Sequence, residues 1–358
     1  MTDPDGKLPA VFIDAHHHFI DTTSEIYADF LRSVASDLIY TAEQYQEDVV
    51  ADLRAAGIEV AGSVHVEAMP DDGAAEAGYV QGLVDGGRAG TVGTGAIVGS
   101  VDLAKADAGA RIEALVGASG LVRGVRWILD CVGRFEGGKT ATHVATSRHD
   151  GVDYLRGSEG GYGGGAVPAF EAGYGLLAGH GLSFDLQCAP AQLKAAAALA
   201  SRHPGVPVVI DHLGKPRMLL GDDMEGEGDA RRVNPNTNPD QAELDVWREG
   251  MRAMAALPHV MVKIGMLGYA VPGWTRTPER EALVRELVLE VVDLFGPSRC
   301  MCETNWWANA SASDADFLSD AAPSPSELLA KLSSWFAGYT DEEREMLFSG
   351  SAKKFYRL

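Results

Sequence analysis

Three consecutive histidines close the first apolar segment of the chain, which ends Asp14-Ala15-His16-His17-His18. Side chains alternate along a β-strand, so His16 and His18 point to one face and His17 points to the other. Two imidazoles on one face supply half of the ligands of a transition-metal site. Incidental histidines at a polar strand end are the alternative, but a buried imidazole needs hydrogen-bond partners. The sequence therefore predicts His16 and His18 as metal ligands.

Two later segments carry side chains that suit the same chemistry. His212 ends the segment Ile210-Asp211-His212, and it is predicted as a third metal ligand or as an electrophile for a carbonyl oxygen. Asp211 is expected to point away from His212 and to act as a structural anchor. Glu303 and Asn305 are two residues apart, so both are predicted to face one site. The carboxylate of Glu303 can deprotonate an attacking water, whereas the amide of Asn305 can only orient one.

Further polar side chains near the ends of predicted strands are candidates for substrate binding. Arg126, in the segment Gly-Val-Arg-Trp, suits bidentate binding of a carboxylate, with a surface or loop-capping role as the alternative. His65 and Glu67 share a face of the second segment, and that face is either the site or the side that packs on helices. The predicted substrate-binding residues are Arg126, His65, Gln187, Lys263 and Tyr269.

Eight short β-branched apolar segments alternate with stretches of helical periodicity. Near-continuous apolar strands separated by helices are typical of a parallel sheet, and eight such units favour a (β/α)₈ TIM barrel. A doubly wound open sheet is the alternative, but no Gly-x-Gly-x-x-Gly follows the first segment, which disfavours the dinucleotide-binding form of that fold. The predicted strands are 11–19, 60–68, 91–101, 121–129, 181–188, 206–213, 259–267 and 299–306.

Two connections between the predicted elements are longer than ordinary turns. They run from residue 130 to about 167 and from 215 to 241, so they leave the carboxyl ends of the fourth and sixth strands, where barrel active sites lie. We expect these loops to enclose the substrate, with plain solvated insertions as the alternative. The tail, residues 324–358, is predicted as two helices that close the barrel bottom or pack on its side. Residues 1–358 are predicted to form a single domain.

The composition limits the partners of the chain. Its 358 residues include 30 Lys+Arg and 51 Asp+Glu, which gives a formal net charge of −21. So acidic a surface repels nucleic-acid backbones and anionic membranes, and we expect neither as a partner. Four cysteines do not make a disulfide framework, the amino-terminus lacks a signal-peptide pattern, and no apolar run is long enough for a membrane helix. A cytoplasmic location is therefore expected.

Several motifs together resemble the amidohydrolase-2 family, which includes sugar-lactone and pyrone-dicarboxylate lactonases and metal-dependent aromatic decarboxylases. The motifs are Asp-Ala-His-His-His, Val-Arg-Gly-Val-Arg, Phe-Asp-Leu-Gln, Val-Val-Ile-Asp-His-Leu-Gly-Lys-Pro and Arg-Cys-Met-Cys-Glu-Thr-Asn-Trp-Trp, and the resemblance extends from about Val11 to Leu358. It implies that His16 and His18 bind a divalent metal or the substrate, and that His212 lies in the same site.

The chain departs from the family pattern at two strands. The last strand of the family usually ends Gly-Ser-Asp-Trp-Pro, with the aspartate as general base, whereas Asn305 occupies that place here and Glu303 replaces the glycine. A subset of the family ends similarly, with Glu-Ser-Asn-Phe-Pro. The fifth strand offers Asp185 and Gln187 where metal-rich members have a histidine. The resemblance therefore implies one divalent metal, zinc in the first instance, or no tightly held metal.

Three functions are compatible with these motifs. The first is a hydrolase that opens a lactone or a related cyclic ester or amide by water attack, with Arg126 holding a substrate carboxylate. The second is a zinc-dependent lyase that decarboxylates an aromatic or related carboxylic acid, and it needs a strong carboxylate on the last strand. The third is a non-catalytic binding protein on a barrel scaffold. Each takes a small-molecule ligand, and barrels of this kind often form homo-oligomers.

Overall fold

Eight parallel strands form one sheet in which each strand pairs with the next barrel strand along the chain. The computed structural model describes residues 7–34, 38–89, 94–131, 152–157, 166–306 and 322–358. The strands are β1 (Val11–His17), β2 (Glu59–Val66), β3 (Thr94–Ser100), β4 (Val122–Arg126), β5 (Ser183–Leu186), β6 (Val208–Ile210), β7 (Val260–Ile264) and β8 (Cys300–Cys302).

The first and last strands meet through the segment that follows β8. An isolated parallel bridge joins His17 to Trp306, and the backbone N–H of Asn305 donates to the carbonyl of His16 at 2.9 Å. The sheet therefore curls into a nearly closed barrel, and the predicted (β/α)₈ TIM-barrel fold is confirmed.

Helices follow the strands on the outside of the barrel, as the predicted alternation requires. The tail was predicted as two helices, and it contains three short ones, with a π-helical turn at Met346–Gly350. Among the described residues, every helix is too short or too polar to cross a bilayer. The helices are Phe30–Val34, Ala42–Tyr45, Ala51–Ala55, Gly73–Asp85, Ala108–Ala118, Pro168–Gly179, Leu193–Arg202, Gln241–Ala255, Pro278–Phe295, Pro325–Trp335, Asp341–Glu345 and Ser351–Tyr356.

The two long connections leave the same end of the barrel. The connection after β6 contains a small antiparallel hairpin, in which Met224–Glu225 pairs with Arg232–Val233. Most of the connection after β4 lies outside the described residues, which resume at 152–157 and 166–167. A second small hairpin, Ile20–Asp21 with Ile39–Tyr40, follows β1.

The barrel interior is apolar at one end and charged at the other. Small and medium apolar side chains of the strands pack inside the barrel against Ala352 and Tyr356 of the C-terminal helix. A Cβ at Gly95 would lie 2.9 Å from a methyl group of Leu358, so this glycine leaves room for the chain terminus. The C-terminal helix therefore closes the barrel at the amino ends of the strands. The apolar strand residues inside are Ile13, Ala15, Val64, Val66, Ala96, Val98, Val209, Met261 and Met301.

Candidate active site

Charged and polar side chains fill the barrel near the carboxyl ends of four strands, where barrel active sites lie. His16 belongs to β1 and Lys263 to β7, while Asp211 and His212 follow β6 and Glu303 follows β8. These five residues are at most 3% exposed. The structure thus brings together His16, His212, Lys263 and Glu303, which the sequence predicts to share one site although they come from distant parts of the chain.

Glu303 connects two of the histidines. Its Oε1 lies 2.7 Å from Nδ1 of His212, and its Oε2 lies 3.0 Å from Nδ1 of His16. Because a carboxylate accepts hydrogen bonds, Nδ1 of His212 carries the proton and Nε2 carries the lone pair. A side chain at Gly265 would overlap Glu303, so this glycine makes space for the carboxylate. His212 and Glu303 have the arrangement of a general base and the carboxylate that orients it.

A left-handed turn after β6 brings the side chains of Asp211 and His212 close to each other. The φ angle is +56° at His212, +57° at Leu213 and +51° at Lys215. Non-glycine residues are strained in this region, and such strain concentrates at functional sites. Because β6 ends at Ile210, strand alternation no longer applies to the next two residues. Asp211 was expected to point away from His212, but their ligand atoms lie within 4.8 Å of each other.

His16 lies between two cationic side chains. Nζ of Lys263 is 3.1 Å from Nδ1 of the ring, and Nη1 of Arg126 is 3.3 Å from Nε2. Burial, followed by the charge of Lys263, holds the pKa of His16 well below its ordinary value. His16 is therefore a neutral ring inside a charged network.

Lys263 is held by two carboxylates. Its Nζ donates to Oδ2 of Asp185 at 2.7 Å and lies 3.0 Å from Oδ1 of Asp211. Although burial works against the charge, Asp185 and Asp211 raise the pKa of Lys263 above its ordinary value, so the group is an ammonium. The sequence predicted Lys263 as a substrate-binding residue. The structure buries it completely and places it against the side chains of the site itself.

Arg126 is likewise occupied by the protein. Its Nε donates to Oε1 of Glu67 at 2.8 Å, and its Nη2 donates to the backbone oxygen of Glu67 at 2.5 Å. Nη1 donates to Oε1 of Gln187 at 3.2 Å and lies 3.5 Å from Oδ2 of Asp211. The structure therefore uses Arg126 as a buried connection between four strands, where the sequence predicted a clamp for a substrate carboxylate. Gln187 extends this hydrogen-bond network, because its amide donates to Asp130 at 3.1 Å.

His18 lies on the same side of β1 as His16, as predicted, with the ring centroids 4.9 Å apart. Its Nδ1 donates to the carbonyl of Val66 at 2.8 Å, and its Nε2 lies 3.1 Å from Oδ1 of Asn305. Burial lowers the pKa of His18 well below its ordinary value, so the ring is neutral and has a single N–H. The amide of Asn305 must then turn its NH₂ group towards Nε2. Asn305 thus orients His18.

Tyr269 lies beside His212, with ring centroids 5.8 Å apart. Two buried cations pack over the tyrosine ring: Nζ of Lys215 is 4.8 Å and the guanidinium carbon of Arg217 is 4.7 Å from its centroid. Asp130 accepts a hydrogen bond from Lys215 at 2.7 Å. The sequence predicts no role for Lys215, Arg217 or Asp130, although Lys215 belongs to the motif Asp-His-Leu-Gly-Lys-Pro.

The structure does not place His65 with the other candidates. Its ring stacks on Phe19 at a centroid distance of 5.6 Å, and its Nδ1 accepts the backbone N–H of Phe19 at 3.3 Å. Its Nε2 lies 3.9 Å from a carboxylate oxygen of Glu76, in the helix Gly73–Asp85. His65 therefore faces the layer of helices, which was the other orientation that the sequence allowed, and it is no part of the site.

Comparisons with known proteins now identify the group to which this barrel belongs. The family profile described as Amidohydrolase matches residues 13–358. The chain belongs to the amidohydrolase family. The family predicted from the sequence motifs is thus confirmed, and the protein is an enzyme of the amidohydrolase type.

Three relatives of this amidohydrolase define how close the similarity is. An uncharacterised protein of Sinorhizobium fredii is 26% identical over 353 residues, which cover 97% of this chain and 98% of that protein. An L-fucono-1,5-lactonase of Burkholderia multivorans is 27% identical over 192 residues, which cover 53% of this chain and 56% of the lactonase. The crystal structure of an amidohydrolase from Burkholderia multivorans with bound HEPES has a TM-score of 0.67 at 21% identity, covering 97% of this chain and 99% of that one.

Amidohydrolases typically hold a divalent metal, and three side chains here offer suitable donors. His16, Asp211 and His212 have ligand atoms within 4.8 Å of one another. His18, predicted as a ligand, is not in this group. The ammonium of Lys263 already lies against two of the three donors, 3.1 Å from His16 and 3.0 Å from Asp211. These residues therefore do not fit a tightly held divalent ion.

Two other residues of this amidohydrolase, Tyr356 and Asp14, make hydrogen bonds that had no signal in the sequence. Tyr356, near the chain terminus, donates from its hydroxyl to Oδ2 of Asp185 at 2.7 Å. Asp14 accepts hydrogen bonds from the backbone and the hydroxyl of Thr304 at 2.9 and 2.6 Å, and from the hydroxyl of Tyr45 at 2.9 Å. Asp14 thus ties β1 to the segment after β8, next to the residues of the site.

Proposed function

We propose that this amidohydrolase opens a lactone by attack of a water molecule on the ester carbonyl. The contact of 2.7 Å between His212 and Glu303 carries the proposal, because it sets up a base with a lone pair on Nε2. The partial similarity to an L-fucono-1,5-lactonase supports a cyclic ester as the substrate class.

The chemistry follows from the protonation of the His212–Glu303 pair. Nε2 of His212 takes a proton from the attacking water as the new C–O bond forms, and the ring becomes an imidazolium. The carboxylate of Glu303 stabilises that charge at Nδ1, and no proton needs to pass to it. The same proton is then available for the leaving ring oxygen, so the lactone opens to a hydroxy acid and the base is restored.

The charges near Tyr269 bear on the substrate. Lys215 and Arg217 place positive charge over the ring of Tyr269, which lies next to His212. Since Asp130 pairs with Lys215, one net positive charge is left at this position, and it favours a substrate that carries a carboxylate or several hydroxyl oxygens. We therefore propose a carboxylate-bearing substrate whose carboxylate is bound by Lys215 and Arg217 and not by Arg126.

A panel of lactones tests the proposal. Neutral sugar 1,4- and 1,5-lactones and carboxylate-bearing pyrones are offered to the enzyme, and acid release is followed with a pH indicator. We expect turnover of at least one member, and a loss of about 100-fold or more in His212→Ala, since general base catalysis contributes this much. His180→Ala, on an exposed helix end, is the matched control and should retain wild-type activity. Ligand-induced stabilisation without turnover of any lactone would instead favour the binding-protein hypothesis.

A zinc-dependent decarboxylase is the second candidate, because His16, Asp211 and His212 form a group of metal donors. This function requires that zinc enter the site and that Glu303 serve as the strong carboxylate of the last strand. Release of carbon dioxide from hydroxybenzoate-type acids, dependent on added zinc and without lactone turnover, would select it. The contact of Lys263 with two of the donors argues against it.

A further inference from the structure

We propose that the ammonium of Lys263 occupies the place of the divalent cation in this site, so that the protein carries an internal organic cation and no tightly bound metal. This inference concerns what fills the site and does not rest on the proposed reaction.

The position of Lys263 between the donors is the first observation. Nδ1 of His16 and Oδ1 of Asp211 are 3.7 Å apart, and Nζ of Lys263 lies 3.1 Å from the former and 3.0 Å from the latter. A zinc ion bonded to both atoms at roughly 2.1 Å would lie within about 3.5 Å of Nζ, whichever side it approached from. Two cations so close repel strongly in a buried site, so the lysine and the metal exclude each other.

The second observation is that hydrogen bonds fix the ammonium of Lys263 in place, so it cannot move aside for a metal ion. Asp185 binds Nζ at 2.7 Å, and the hydroxyl of Tyr356 binds the same carboxylate oxygen at 2.7 Å. All three side chains are fully buried, and Tyr356 reaches them from the C-terminal helix at the closed end of the barrel. Asp185 of β5 thus fixes the lysine, and Tyr356 near the chain terminus fixes Asp185.

The third observation concerns the other nitrogen of His16. Nη1 of Arg126 lies 3.3 Å from Nε2 and Nζ of Lys263 lies 3.1 Å from Nδ1, so a cationic N–H group lies against whichever nitrogen of this neutral ring carries the lone pair. Metal ligation needs a nitrogen lone pair that points at the ion. The carboxylates of Asp185, Asp211 and Glu67 pair with these two cations and balance their charge in the way that they would balance a divalent ion.

Zinc binding by charge-removed variants tests the inference. Lys263→Met and Lys263→Gln remove the ammonium; glutamine keeps a hydrogen-bond donor for Asp185 and so covers the case in which the methionine variant does not fold. Each protein is dialysed against a chelator, then against buffer, and is titrated with zinc against a chromophoric competitor, with total metal read by mass spectrometry. Lys194→Met, at an exposed ion pair with Glu249, is the matched control.

We expect less than about 0.1 equivalent of zinc in the dialysed wild type and in the control. Zinc affinity should be at least 100-fold tighter in a folded Lys263 variant, because His16 and Asp211 then become available as metal donors. The gained zinc should disappear when His16→Gln is added to that variant. A wild type that keeps about one zinc through chelation, or folded Lys263 variants that bind zinc no more tightly than the wild type, would overturn the inference. Neither readout requires turnover, so failure here is distinct from failure of the proposed lactone hydrolysis.

Discussion

Replacing Glu303 with glutamine tests the proposed role of the His212–Glu303 pair. Glutamine has nearly the shape of glutamate, and its amide oxygen can still accept the hydrogen bond that Nδ1 of His212 donates at 2.7 Å. The negative charge is lost. The substitution therefore preserves the tautomer of His212 and removes the stabilisation of the imidazolium that forms when the ring takes a proton from water.

The expected effect follows from the separation of the two charges. Nδ1 and the nearer carboxylate oxygen are 2.7 Å apart, which places the centres of the two charges roughly 4 Å apart. Unit charges at that distance interact by about 4 kcal/mol at an effective dielectric constant of about 20. Since each 1.36 kcal/mol changes a rate by about tenfold, kcat should fall by about 1,000-fold. KM should change by less than about threefold, because the lost stabilisation belongs to the transition state.

The assay is steady-state hydrolysis of the best lactone from the panel, with acid release followed at several substrate concentrations. Glu113→Gln, at an exposed position of the helix Ala108–Ala118, is the matched control and should keep wild-type kinetics. The double variant of Glu303→Gln with His212→Ala should be no slower than His212→Ala alone, because residues that act as a unit are not additive. A kcat for Glu303→Gln within tenfold of the wild type would refute the reasoning.

Two further predictions concern stability. Burial raises the pKa of Asp14 from 3.8 to about 6, so the folded protein holds a proton there that the unfolded chain releases, and stability should fall as pH rises between about 4 and 6 by at most about 3 kcal/mol. Urea unfolding across this range should show that fall in the wild type and a smaller one in Asp14→Asn. Tyr356→Phe removes the hydroxyl bound to Asp185 and should lower the free energy of unfolding by about 1–3 kcal/mol, whereas Tyr339→Phe, which loses an exposed bond to Asp293, should lower it by less than about 1 kcal/mol.

Strand alternation and chain order were sufficient to predict the barrel and the convergence of its polar residues. In a parallel barrel every strand ends at the same rim, so His16, Lys263 and Glu303, each near the end of an apolar segment, had to meet there. The same reasoning placed His16 and His18 on one side of β1, and the structure has them there.

Side-chain alternation gives wrong orientations where the backbone leaves the regular strand. A register shift interrupts the pairing of β1 between Asp14 and His17, which lets Ala15 and His16 both reach the interior while Asp14 bonds Tyr45 on the helix side. The left-handed turn at His212 has the same effect after β6. Neither irregularity has a residue pattern that predicts it, since His212 is not a glycine or an asparagine.

The partners of the buried charges also had no local signal. A sequence predicts that Lys263 and Arg126 lie inside a barrel, but it does not tell whether a ligand or a neighbouring carboxylate meets them. In the structure Asp185 pairs with Lys263, and Glu67 pairs with Arg126. The two cations predicted to bind substrate are therefore bound by carboxylates of the protein. Tyr356 is a further case, because its hydroxyl meets Asp185 across 171 positions of sequence.

The buried charges of this barrel are the reason why we propose that the base works without a metal. Taking Lys263, Arg126 and their carboxylates out of water costs several kcal/mol for each ion, and only pairing offsets that cost. Once paired, the charges are fixed in direction and need no reorganisation when the charge on His212 changes. A divalent ion would supply such a fixed field through its ligands. Here the field comes from side chains on β4, β5 and β7, and one of its anchors, Tyr356, comes from the C-terminal helix. Loss of the Tyr356 hydroxyl should therefore change the orientation of Lys263 while the barrel remains folded.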